Sequence, residues 1–131
     1  MSYKEIIQNY VDGWKEHREE KILDVLAEDC IIIESHGPVY RGKGVIKKWI
    51  ANWHNQGNNV EKWIITSFHT CDNLVIFEWI FAYRGKKIRE AFEGVTLTKI
   101  KNNKISDLRE YRATAFPFMW QPSSGDKYEK E

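Results

Sequence analysis

This 131-residue chain has two cysteines, three prolines and no excess of charge of either sign. Cys30 and Cys71 stand singly, without the C-x-x-C spacing of a redox or zinc motif, and they are too few for a disulfide framework. Both fall in apolar surroundings and read as buried, reduced thiols. Lys and Arg number 20 against 19 Asp and Glu, a net charge of +1, so nothing electrostatic favours nucleic acid or an anionic membrane surface as partner. No apolar run is long enough to cross a bilayer, since the longest, Leu74 to Tyr83, is interrupted by Glu78. The N-terminus lacks the charged-then-apolar pattern of a signal peptide. Repeats and low-complexity blocks are also missing. The expectation is a cytoplasmic protein with neither nucleic acid nor membrane as partner.

Aromatic side chains, by contrast, are abundant: 14% of residues, six of them Trp, must line a core, a cavity or a subunit interface. The length suffices for one well-buried core. We expect a single domain over residues 1–120 and a loosely ordered polar tail, QPSSGDKYEKE, over 121–131.

The stretch from Glu28 to Gly57 organises the chain. Cys30-Ile31-Ile32-Ile33 is short, apolar and β-branched, which reads as a buried strand, and it ends on Glu34-Ser35-His36 before the turn pair Gly37-Pro38. A helix from about Lys43 to Gln56 follows, with Val45, Ile46, Trp49, Ile50 and Trp53 at helical spacing. Ahead of this stretch, Tyr3 to about Arg18 carries Ile6, Ile7, Tyr10, Val11 and Trp14 on one face, with Ser2 as N-cap. Gly13 in that helix predicts a close neighbour. A short helix is expected from about Glu20 to Ala27. Beyond Gly57, four strand-like segments, Val60–Cys71, Leu74–Arg84, Lys87–Lys101 and Lys104–Thr114, are separated by short turns and predict an antiparallel meander. The Leu74–Arg84 strand is apolar on both faces, so both need cover: helices on one side and a second copy of the chain on the other.

Helix, helix, strand, helix and then a meander is an α+β order. Five short motifs add to it: Tyr10-x-x-x-Trp14, Leu26-Ala27-Glu28-Asp29-Cys30, Tyr40-Arg41-Gly42, Phe92-Glu93-Gly94-Val95-Thr96 and Lys104-Ile105-x-x-Leu108-x-Glu110-Tyr111. With these the chain resembles the SnoaL-like branch of the nuclear transport factor 2 superfamily. The resemblance implies a cone-like barrel, a curved and mostly antiparallel sheet wrapped around N-terminal helices, and a homodimer through the outer sheet face. Ketosteroid isomerases of that superfamily use a first-helix tyrosine as oxyanion donor and a first-strand carboxylate as base. Tyr10 and Glu34 fall at those positions. Their third group, a protonated aspartate on a late strand, has no counterpart here: Val95 and Thr96 stand nearest, and the closest acid is Glu93.

The candidate catalytic residues are therefore Glu34, Tyr10 and His36, with Trp14, Trp49, Trp53, Glu78 and Glu93 as candidate ligand contacts. Glu34 after three isoleucines suits a desolvated general base, and equally a solvated strand-end carboxylate. Glu34-x-His36 could be a base and its partner. As a metal pair it lacks a third ligand, because His17, His54 and His69 are scattered singly. No metal and no cofactor is expected. Glu78 and Glu93 rank ahead of Glu110 as pocket acids, although bulges can shift strand parity by one residue. Two functions stay open. One is a cofactor-free isomerase, cyclase or dehydratase acting on an apolar carbonyl compound; the other is a non-catalytic domain that binds a small apolar molecule or dimerises.

Overall fold

The structure, a computed structural model, describes residues 1–122. Helix α1, Tyr3–Lys15, begins in a complete capping box: the Ser2 hydroxyl accepts from the Glu5 N–H, and the Glu5 carboxylate accepts from the Ser2 N–H. Its buried stripe is Ile6, Ile7, Tyr10, Val11 and Trp14. A Cβ on Gly13 would lie 2.6 Å from Ile22 Cγ1 in the next helix, so the glycine is what lets α1 and α2 approach.

Helix α2, Glu19–Leu23, is shorter than the expected Glu20–Ala27. Val25 and Leu26 leave the helix because strand β1 begins at Leu26, whose partner is Ile105. Strand β1 runs Leu26–Glu34, and a short β2, Val39–Arg41, folds back on it. Strand β2 was not expected from the sequence, because three residues are too few to show a period of two. Helix α3 spans Lys43–Asn55, and strands β3 (Asn59–Cys71), β4 (Leu74–Arg84), β5 (Arg89–Lys101) and β6 (Lys104–Arg112) form the meander.

The six strands make one open, curved sheet in the order β2-β1-β6-β5-β4-β3. All neighbours are antiparallel except β1 and β6, which run parallel with Glu34 opposite Glu110. This is the α+β architecture expected of the cone-like superfamily fold. Helices α1 and α3 pack on the inner face, over a core that includes Ile32, Phe77, Ile105 and Leu108. Trp79 lies flat across the inner face because Gly94, its cross-strand partner, has no side chain: a Cβ there would be 2.5 Å from Trp79 Cη2. The indole is fixed by an Nε1–H donation to Thr96 Oγ1 at 2.8 Å.

Of the two cysteines, Cys30 is buried as expected, its thiol pushed up to about 12 by burial and then by Asp107 and Asp29. Cys71 is exposed, contrary to the reading of both as buried, because it ends β3 beside the Asp72-Asn73 turn. The expected tail falls almost wholly in residues 123–131, outside the described residues. No helix among the described residues is long and apolar enough to cross a membrane.

Candidate functional site

Alternation along two strands builds the site. On β1 the buried residues Cys30 and Ile32 set an inward parity that continues to Glu34, and on β6 Leu108 sets the parity that continues to Glu110. Because the strands are parallel and in register, the two carboxyls leave the sheet side by side. They enter a cavity of about 520 Å³ between the inner sheet face and helices α1 and α3. Its aromatic wall includes Tyr10 and Trp14 from α1, Trp49 and Trp53 from α3, and Trp63 and Trp79 from the sheet.

The two acids sit in different surroundings. Glu34 accepts a hydrogen bond from the Tyr40 hydroxyl at 2.7 Å, and the Tyr40 ring is stacked on Trp49 with centroids 4.1 Å apart. Burial, and then the Glu34 carboxylate, push the Tyr40 phenol above its ordinary range, so it remains a donor. Glu110 has no ion-pair partner among the described residues. Burial first, and Glu34 second, push its carboxyl up to about 8, so Glu110 keeps its proton at neutral pH. Tyr10 is 1% exposed. Burial, reinforced by Glu110, raises its phenol well above the ordinary value and holds it protonated. His36 lies at the rim, its side chain 66% exposed and its Nε2 3.8 Å from Glu34.

The structure thus brings Glu34, Tyr10, His36, Trp14, Trp49 and Trp53 to one cavity. Glu78 and Glu93 are not among its lining residues. Glu78 points outward and accepts from the Ser67 hydroxyl at 2.7 Å, while Glu93 lies on the outer parity of β5 beside inward Phe92. Glu110, ranked below both from sequence, is the second acid in the cavity. The sequence did hold a signal for it: Leu108 and Glu110 share a face in an uninterrupted stretch of β6. Tyr40 was missed as a site residue because β2 was missed. His17 and His54, far apart in sequence, are stacked with centroids 3.7 Å apart. Burial, and then His17, lower the His54 pKa. No group of three or more His, Cys, Asp or Glu able to hold a metal occurs among the described residues.

The Glu110 shift gives a stability prediction with a definite sign. The folded state keeps a proton that the unfolded chain releases near pH 4.5, so stability falls as pH rises from there towards about 8. Glutamine does not titrate. Glu110→Gln should therefore match the parent near pH 4 and exceed it by about 2 kcal/mol near pH 8, the cavity's access to solvent limiting the gain. Urea unfolding at the two pH values checks this; an unchanged difference between them would overturn it.

A SnoaL-like domain model matches residues 7–108. No match was found among curated proteins. Among solved structures, a protein of ketosteroid isomerase-like fold from Catenulispora acidiphila, in complex with trimethylamine, superposes with a TM-score of 0.76 at 19% identity, covering 86% of this chain and 88% of that one. An LEH-like epoxide hydrolase from M. tuberculosis gives 0.76 at 12% identity, covering 83% and 80%. A protein from Shewanella denitrificans described as a SnoaL-like polyketide cyclase gives 0.75 at 16% identity, covering 98% and 97%. Such different activities on one scaffold mean that the fold does not select the chemistry. The chain belongs to the SnoaL-like domain family.

Proposed function

We propose that this protein is a cofactor-free enzyme of isomerase, cyclase or dehydratase type that enolises an apolar carbonyl compound. The observation that carries the reading is the juxtaposition of Glu34 with Glu110, a carboxylate accepting from Tyr40 beside a carboxyl that holds its proton. Two acids in one cavity whose environments separate their protonation states are the usual source of a base and an acid. Glu34 takes the α-proton. Glu110 and the Tyr10 hydroxyl donate towards the oxygen on which negative charge develops. The aromatic walls hold the carbon skeleton and exclude water. Among the described residues Glu34 is paired with no arginine, which would have removed it as a base.

A second reading, a non-catalytic binding or dimerisation domain, is favoured by the near-complete burial of Tyr10. Dimerisation itself is compatible with either. The outer sheet face carries half-buried Ile76, Ile80, Val95 and Leu97 beside exposed Ile64 and Tyr111, and we propose that a second copy covers it.

Hydrogen–deuterium exchange at the α-carbon of enolisable cyclic ketones, followed by proton NMR in D₂O, tests the enzyme reading. The expected result is exchange above the buffer rate that a bound aromatic competitor suppresses. Binding of the ketones without exchange would leave the second reading in place.

A further inference from the structure

The end of β6 brings a second ionisable side chain into the cavity beside Glu110. Glu110 and Arg112 share the inward parity of the strand and both line the cavity, so their side chains leave the sheet about 7 Å apart. Arg112 sits at the mouth, its side chain 41% exposed. Among the described lining residues it alone is permanently cationic.

The neighbouring strands hold its guanidinium in place. The cross-strand partner of Arg112 is Gly94, which has no side chain, and the guanidinium lies over the next inward ring of β5, Phe92, 3.7 Å from its centroid. Nη2 donates to Glu90 Oε2 at 3.2 Å, and Glu90 also accepts from the Tyr83 hydroxyl at 3.0 Å. These two hydrogen bonds, that from Arg112 first, hold the Glu90 carboxyl below its ordinary range and keep it an ionised anchor.

This anchor does not use up the arginine. A guanidinium offers two forks, Nε–H with Nη2–H and Nη1–H with Nη2–H, and a single bond from Nη2 leaves one of them whole. Nε and Nη1 have no acceptor among the described residues. A planar fork held against a ring at the mouth of a cavity matches a carboxylate in shape and charge. Glu34 stands opposite Glu110, one strand repeat away from Arg112, so a carboxylate at Arg112 is kept apart from the base.

We infer that the substrate is an oxo acid with an apolar skeleton, its ketone oxygen at Glu110 and Tyr10 and its carboxylate in the fork of Arg112. This substrate class rests on the enolisation reading, which puts the ketone oxygen beside Glu110. Arg112 adds selection among ketones, and holding both ends of the substrate turns one α-carbon towards Glu34.

4-Oxocyclohexanecarboxylate carries the two groups across one ring, and 4-oxocyclohexanecarboxamide is its neutral counterpart of similar shape. Exchange of their α-protons in D₂O at neutral pH, each measured over its own buffer rate, tests the anchor. Below saturation the carboxylate should exchange at least about tenfold faster. In Arg112→Gln that advantage should shrink to within about twofold; Arg112→Lys, which keeps the charge and loses the fork, should fall between. A merely structural loss would slow both probes alike and leave their ratio unchanged. Equal rates, a faster amide, or an advantage that survives Arg112→Gln would each overturn the inference. Calorimetric titration with the same two probes separates this failure from that of the enolisation reading. Exchange of both probes without preference removes only the carboxylate anchor; an Arg112-dependent preference in binding without exchange removes only the reaction. Neither binding nor exchange would overturn both.

Discussion

Glu34→Gln is expected to slow ketone exchange by roughly 10²–10⁴-fold while leaving fold and ligand affinity in place. The amide matches the carboxylate in size and can still accept from the Tyr40 hydroxyl now 2.7 Å away, so packing around the Tyr40–Trp49 stack is kept. What is lost is the only property the proposed role needs, a lone pair basic enough to take a carbon-bound proton. Tyr40→Phe gives the contrasting result. It removes a donor from the carboxylate without removing the base, so a modest change in rate and a shift in the pH profile follow, rather than abolition. The assay is the exchange rate per enzyme, with folding checked by near-ultraviolet circular dichroism. A Glu34→Gln variant that exchanges at the parent rate would eliminate Glu34 as the base.

The largest expected loss of stability lies elsewhere, at Gly94→Ala. A single methyl group there would meet the Tyr111 carbonyl oxygen on β6 and Trp79 Cη2 at 2.5 Å. Neither obstacle can yield cheaply. The carbonyl belongs to the β5–β6 ladder, and Trp79 is packed against Trp63, Phe81 and Phe92 with its N–H committed to Thr96. Overpacking of this kind costs about 3 kcal/mol, which for a domain of this size lowers the melting temperature by roughly 10 °C. Because Trp79 also lines the cavity, ligand affinity should fall with stability. Thermal unfolding measures the first effect and titration the second; a variant within 1 °C of the parent would show that the sheet relaxes around the methyl group.

These two positions show how unevenly the sequence disclosed the molecule. The helical stripe of Ile6, Tyr10 and Trp14 and the run of three isoleucines could be read directly, because helix and strand periods are local properties of the chain. Gly94 lay inside a recognised motif, yet nothing local named Trp79 as the side chain it accommodates. That contact depends on the β4–β5 register, which places the two residues opposite each other.

The acids divide along the same line. Glu34 followed a strand whose end was visible, and its place at a pocket mouth could be expected. Glu78 and Glu93 looked equally good, because an acid among Phe, Trp and Ile predicts an environment but not a face. Register shifts occur in β1 and β3, whereas β4 and β5 pair without one, so no bulge hid the faces of Glu78 and Glu93; what the sequence lacked was a local mark of which face the helices cover. Glu110 acquired its role only when β6 came to lie parallel to β1, a pairing between residues far apart in the chain. Sequence by itself determined the elements other than β2, the α+β class, the inward faces of α1 and α3 and the supply of aromatic rings, since each follows from short-range periodicity and composition. Tertiary structure alone decided which carboxyls share a cavity, that Tyr40 holds one of them and that the other keeps its proton. Those outcomes depend on strand register, burial and charge proximity, which exist only once distant segments meet.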